Sequence, residues 1–244
     1  MKKASTTNKS IIILGSLLVI MLAIAIILID HSSSLKYTTR ENNFIPIEGA
    51  TANAYESPVE VSNLKDSDTL IGGEKANLKV LVYEDYSNSY SADLANTLDL
   101  LMAEYNDDLA IVTRPFVLPN SSESQQAALS YLCAKDYNKG EEMRNLLFQQ
   151  FKEETIPFNY VSYAKELSIS EESFLSCLTG EEKLLKLEEL KNDAKNNLVL
   201  GTPIIIVGNE MLVGARPYAD FVDSNGDAIE GLKTIIKRHL EDKG

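Results

Sequence analysis

The sequence predicts an α/β domain that carries a block of helices inside its sheet order and has one apolar helix ahead of it. Three observations lead there. Residues 78–83 form an apolar run suited to a central strand, and Tyr90, Leu94, Leu98 and Leu101 then recur at helical spacing before a second apolar run at 109–117. Beyond Pro119 the pattern turns helical as far as residue 197. Gly208-Asn209 then separates two short apolar runs, a hairpin pattern because both turn residues tolerate positive φ.

The chain has 244 residues, 44% of them hydrophobic, enough for one ordinary domain with appendages. Its formal net charge of −13 argues against nucleic acid as a partner, because binding phosphates requires a basic face. The plainer reading of that charge is a soluble acidic surface.

Residues 11–29 carry no charge, and nineteen helical residues nearly span a hydrocarbon core of about 30 Å. Lys2, Lys3 and Lys9 precede the run while Asp30 and His31 follow it. This asymmetry places residues 1–10 in the cytoplasm and everything after the span outside. A cleaved signal peptide is the alternative, but the run is long and no small-x-small site ends it. The expectation is an uncleaved signal anchor in the cell membrane with a single pass. Residues 30–68 lack periodicity, are rich in Ser, Thr, Asn and Glu, and read as a flexible tether.

The folded domain is expected over residues 69–244. Its elements are a strand at 78–83, a turn at 84–88, a helix at 89–105 and a strand at 109–117. The strand, helix and strand form a βαβ unit, for which the parallel right-handed arrangement dominates. Helices follow at 121–137, 140–151, 159–167, 171–178 and 181–196, the helical insertion occupying about 120–197. The hairpin at 204–213 completes the sheet. Asp227 is placed to cap a last helix, with Glu230 as its capping-box partner and Ile229, Leu232, Ile236 and Leu240 as the apolar stripe.

The chain has two cysteines, Cys133 and Cys177. In an exported compartment such a pair would be oxidised, whereas in the cytosol both would serve as small buried hydrophobes. Ser87, Ser89 and Ser91 lack a plausible activating base, since the histidines are His31 in the tether and His239 in the last helix. The stretch from Asp223 to Asp227 has acidic spacing but no glycine at the sharp-turn position of a calcium loop. No zinc spacing or phosphate-binding glycine loop occurs.

Four segments carry a resemblance to a known family. They are Val80-Leu81-Val82-Tyr83-Glu84-Asp85-Tyr86-Ser87 ahead of the turn, Leu132-Cys133-Ala134, Phe174-Leu175-Ser176-Cys177-Leu178, and Leu200-Gly201-Thr202-Pro203 before the third strand. Their order and spacing resemble the DsbA-like thiol oxidoreductases from about residue 69 onward. The resemblance implies a thioredoxin-like fold with a DsbA-type helical insertion, here preceded by one N-terminal transmembrane helix. It makes Leu200 to Pro203 the cis-proline loop, puts Cys133 and Cys177 on two helices of the insertion, and leads to the expectation of a structural disulfide between them.

It also implies a loss. In active relatives the first cysteine of C-x-x-C opens the helix after the first strand, where the helix dipole and free N–H groups stabilise a thiolate. Here Asn88, Ser89, Tyr90 and Ser91 stand at those positions, and Val82 replaces the buried acid six residues upstream. A serine hydroxyl cannot exchange disulfides. Asn88 or Ser89 is accounted for as a helix N-cap. The reading is a redox-inactive domain that binds a polypeptide or an envelope protein through Asn88, Tyr90, Thr202 and Pro203, with no catalytic residue, cofactor or metal. The alternatives are a thiol:disulfide oxidoreductase relying on Cys133 and Cys177 or on another protein's cysteines, and a structural module of an envelope assembly.

Overall fold

The computed structural model describes residues 54–57, 61, 64–153 and 158–242. The run at 11–29 lies outside them, and no helix among the described residues is long and apolar enough to cross a membrane. In chain order the strands are β1 (Ala54–Glu56), β2 (Thr69–Gly72), β3 (Leu78–Glu84), β4 (Leu109–Pro115), β5 (Ile204–Val207), β6 (Glu210–Val213), β7 (Phe221–Val222) and β8 (Ala228–Ile229). The helices are α1 (Ser89–Tyr105), α2 (Ser122–Lys135), α3 (Gly140–Glu153), α4 (Tyr160–Glu166), α5 (Glu171–Leu178), α6 (Glu181–Asn196) and α7 (Leu232–Glu241).

Six strands form one sheet in the order β1-β6-β5-β3-β4-β2. β3 and β4 run parallel, as the βαβ pattern requires, and the other pairs are antiparallel. β3 is central and buried on both faces. Leu78, Val80 and Val82 face Leu94, Leu98 and Leu101 of α1 and Leu232, Ile235 and Ile236 of α7. Leu81 and Tyr83 point the other way, toward Ala194 of α6 and Val199. A separate core forms within the insertion, where Leu132, Met143, Leu147, Phe174, Leu187 and Leu190 pack together and receive Tyr86 from the turn. A disulfide joins Cys133 of α2 to Cys177 of α5, with Cα atoms 5.9 Å apart, inside the limit of about 7 Å for a bridge.

The domain begins earlier than the sequence suggests. β1 lies within the stretch expected as tether and pairs with β6, Tyr55 opposite Met211. The residues just before 69 are also part of the fold. Arg114 on β4 is buried and donates from Nε and Nη2 to the two carboxylate oxygens of Asp68 at 2.7 and 2.6 Å. It also donates to the hydroxyl of Tyr83 at 3.1 Å, which donates in turn to Asp193 of α6 at 3.0 Å. Lys135 Nζ donates to the Asp68 carbonyl at 2.6 Å, and Tyr131 to that of Ser67 at 3.1 Å. Burial alone would lower the Arg114 pKa, but the Asp68 carboxylate raises it beyond its usual value. The cluster ties the lead-in, the sheet and α6 together.

The expected cap of the last helix also differs. Asp227 closes the turn of the β7–β8 hairpin, its N–H donating to Asp223 Oδ1 at 2.9 Å, and Ile229 is a strand residue. α7 starts instead after Gly231, where a Cβ would lie 2.3 Å from the Ala219 carbonyl carbon, so only glycine fits. The orphan N–H groups of Leu232 and Lys233 reach the carbonyls of Pro217 and Tyr218 at 2.9 and 3.1 Å, which replaces a side-chain cap.

Candidate functional site

The turn after β3 and the loop before β5 emerge from one end of the sheet. Antiparallel pairing sets Tyr83 opposite Ile204, so the residues after Glu84 and those before Ile204 extend beyond the same edge. The Thr202–Pro203 peptide bond is cis, as the resemblance implies. Pro203 is buried and its carbonyl accepts the Gly214 N–H at 2.9 Å, while Gly201 and Thr202 are half-buried and Leu200 is 65% exposed.

The turn is built from side-chain oxygen atoms. Asp85 is buried, and its Oδ1 accepts both the N–H and the hydroxyl of Ser87 at 2.9 and 2.7 Å. Asn88 is the N-cap of α1, with Oδ1 accepting the Ser91 N–H at 3.1 Å. Ser91 is fully buried, and its Oγ accepts the Asp85 N–H at 3.3 Å, which closes the turn on itself. Of the four degenerate positions, therefore, Ser91 belongs to the frame. Asn88 is half-buried, whereas Ser89 and Tyr90 are exposed, Tyr90 at 64%. The geometry brings Asn88, Tyr90, Thr202 and Pro203 to one end of the sheet. Val82 sits in the apolar layer between sheet and helices, with no carboxylate of its own to take part in proton transfer.

Two features of the surroundings were not legible in the sequence. Glu84, at the tip of β3, is fully buried and receives both a 2.7 Å bond from Arg144 Nε and a 2.5 Å bond from Nη2. Burial alone would lower the Arg144 pKa, yet Glu84 drives it above the usual guanidinium value. The pair locks α3 of the insertion to the base of the turn, with Arg144 lying 5.0 Å from the Phe148 ring centre. Tyr86 adds to that lock, its ring centre 4.8 Å from Tyr131 and 5.6 Å from Phe148. The second feature is aromatic. Tyr160, at the start of α4, stacks on Phe158 with ring centres 5.3 Å apart. Its hydroxyl pKa is pushed up mainly by burial, with smaller contributions from Glu123, Tyr163 and Asp85.

His239 cannot serve the turn's serines. It packs on Gly208 and lies 3.3 Å from Glu210, at the hairpin end of β5, whereas the turn lies beyond the other end. Burial would raise the Glu210 carboxyl, but hydrogen bonds from His239 and Arg238 hold it down to about 2. Among the described residues no cluster of His, Cys, Asp or Glu is suited to hold a metal ion.

A parallel β3–β4 pair with its crossover helix, a cis-proline before an antiparallel hairpin, and a C-terminal helix on the sheet define a thioredoxin-class domain interrupted by a helical insertion. A family model described as thioredoxin matches residues 64–224, more than half of the chain. The chain belongs to that family. Its fold is also that of DsbA-like thiol-disulfide proteins. The thiol-disulfide exchange protein alpha-DsbA2 from Wolbachia pipientis is similar with a TM-score of 0.52 at 18% identity, over 72% of this chain and 86% of that one. A thioredoxin-like oxidoreductase from Silicibacter pomeroyi is similar with a TM-score of 0.56 at 16% identity, over 72% and 93%. The catalytic domain of Proteus mirabilis ScsC gives 0.56 at 21% identity, over 72% and 91%. No curated protein matches the chain by sequence.

Proposed function

We propose that this protein is a membrane-tethered, extracytoplasmic DsbA-like domain that performs no thiol exchange and binds a polypeptide through Asn88, Tyr90, Thr202 and Pro203. The observation that carries the proposal is the turn itself. Asn88 caps the helix and Ser91 is buried as an acceptor for Asp85, so the two positions that hold thiols in active relatives are committed to holding the turn, while the cis-proline loop stands beside it. Pairing of that loop with a polypeptide backbone needs no sulfur. The apolar run at 11–29, with lysines only on its N-terminal side, supports the anchor and the outward orientation.

The oxidoreductase reading that relies on Cys133 and Cys177 is less well supported. Cys133 is fully buried, and the bridge spans two helices of the insertion, the setting of a staple.

The test places a photo-crosslinking amino acid at position 90 of the full chain in intact cells. A discrete polypeptide adduct that disappears when Thr202 is replaced by a bulky residue is the expected result. No adduct at position 90 would sink the binding claim. Insulin reduction by the detergent-solubilised protein above the uncatalysed rate would sink the claim of redox inactivity, and protection of the domain from external protease would sink the orientation.

A further inference from the structure

A cleft of about 400 Å³ runs between α1 and α3, lined by Ala92, Ala95, Asn96 and Asp99 on the first helix and by Asn145, Phe148 and Gln149 on the second. Its volume lies at the lower end of the range for small-ligand pockets. Ala92, Ala95 and Phe148 are nearly inaccessible and form an apolar floor, while Asn96, Asp99, Asn145 and Gln149 are exposed at the rim.

The rim has a fixed polarity. The Asn96 amide nitrogen donates to the Ala92 carbonyl at 3.3 Å, which leaves its oxygen as the acceptor of the pair. Asn145 Oδ1 accepts from Arg144 Nη1 at 3.3 Å, leaving its amide hydrogens as donors. Arg144, next to Asn145 in sequence, is paired with the buried Glu84. Asp99 is the charged residue of the lining and Asn96, Asn145 and Gln149 are its amides, so the cleft offers one carboxylate with amide groups around it above an apolar floor. That combination suits a side chain with an aliphatic stem and a cationic head, the stem lying on the floor and the head donating to Asp99 and Asn96. The acidic chain as a whole favours such a ligand.

Asn88, Ala92, Ala95, Asn96 and Asp99 follow one another at helical spacing, so they share one face of α1. Eleven residues at about 1.5 Å rise place Asp99 about 16 Å from Asn88, the length of about five residues of extended chain. We infer that this cleft is a second subsite for the polypeptide held at the turn, and that it takes a lysine or arginine side chain about five residues from the one seated on Asn88. The cation site stands on the cleft alone, and its place in a longer track rests on the polypeptide-binding reading above.

The test uses the full chain in detergent with 13C-methyl-labelled alanine, and N-acetyl-argininamide as the probe. Binding should shift the Ala92 and Ala95 methyl signals. N-acetyl-citrullinamide, neutral and of nearly the same shape, should bind at least about fivefold more weakly, and Asp99→Asn should weaken the argininamide by a similar factor, as loss of a charge-assisted hydrogen bond predicts. Asn96→Asp should tighten it. Equal binding of the two probes, an unchanged affinity in Asp99→Asn, or no methyl shift up to about 20 mM probe, where even millimolar binding would saturate, overturns the cation site. The probe is too short to reach Asn88, so its failure leaves the crosslinking result at position 90 standing on its own. Asp99→Lys should also lower the yield of that crosslink, and an unchanged yield would separate the cleft from the track.

Discussion

The turn at residues 85–91 and the insertion that follows it differ in where the fold keeps its sulfur. Both cysteines lie in the insertion, joined across α2 and α5, and the turn has none. Yet the turn is fully formed, with Asp85, Ser87, Asn88 and Ser91 supplying the hydrogen bonds that organise the helix N-terminus. Thiol chemistry and turn architecture are therefore separable. Amide and hydroxyl oxygens meet the structural requirement, while the disulfide lies elsewhere and joins α2 to α5.

The firmest link between the two regions is Glu84 with Arg144, and breaking it has the largest expected effect. Arg144→Met would leave the Glu84 carboxylate buried without its partner and should cost about 3–5 kcal/mol, measured by chemical denaturation. Adding Glu84→Leu should recover most of that loss, because a well-packed apolar pair is close to neutral with the ion pair it replaces. A single variant as stable as the native protein would show that the insertion is held by other contacts.

Next comes the staple. The bridge closes a loop over a sequence separation of 44, worth up to about 4 kcal/mol in the chain-entropy model. Replacing both cysteines by alanine should lower the melting temperature by several degrees while leaving the position-90 crosslink intact at temperatures where the domain is folded. Loss of the crosslink in a folded double variant would mean that the two regions are not separable after all.

The smallest effect belongs to the turn. Asn88→Ala removes the cap on the Ser91 N–H and should cost about 1 kcal/mol, read as a small drop in denaturation midpoint. A loss several times larger would show that Asn88 holds more of the turn than one hydrogen bond.

What the sequence disclosed depended on the range of the interaction. Helices α1, α5 and α6 begin and end where the sequence places them, because apolar spacing and a cap such as Asn88 are local features. The β5–β6 hairpin was equally plain at Gly208-Asn209. By contrast Asp68 with Arg114 and Glu84 with Arg144 join residues 46 and 60 apart, and a buried ion pair leaves no periodic trace. β1 was hidden because three residues in a polar stretch carry no pattern and gain their structure from β6. The spacing of Asp227 and Glu230 fits a capping box and a hairpin turn alike. The choice was made by Gly231, whose closeness to Ala219 fixes where α7 can start. At the site, the cis-proline was legible as a match to a family pattern and the substituted turn as a departure from it, whereas the burial of Tyr160 comes only through the fold of the insertion.

The position of β1 has a consequence for the protein's colloidal behaviour. By pairing with the outer side of β6, it occupies backbone groups that would otherwise form an open template for another chain. The sheet then ends in strands of three and four residues, each too short to recruit a neighbour into extended cross-chain pairing. A segment that contributes little to the core thus acts as a guard against edge-to-edge aggregation.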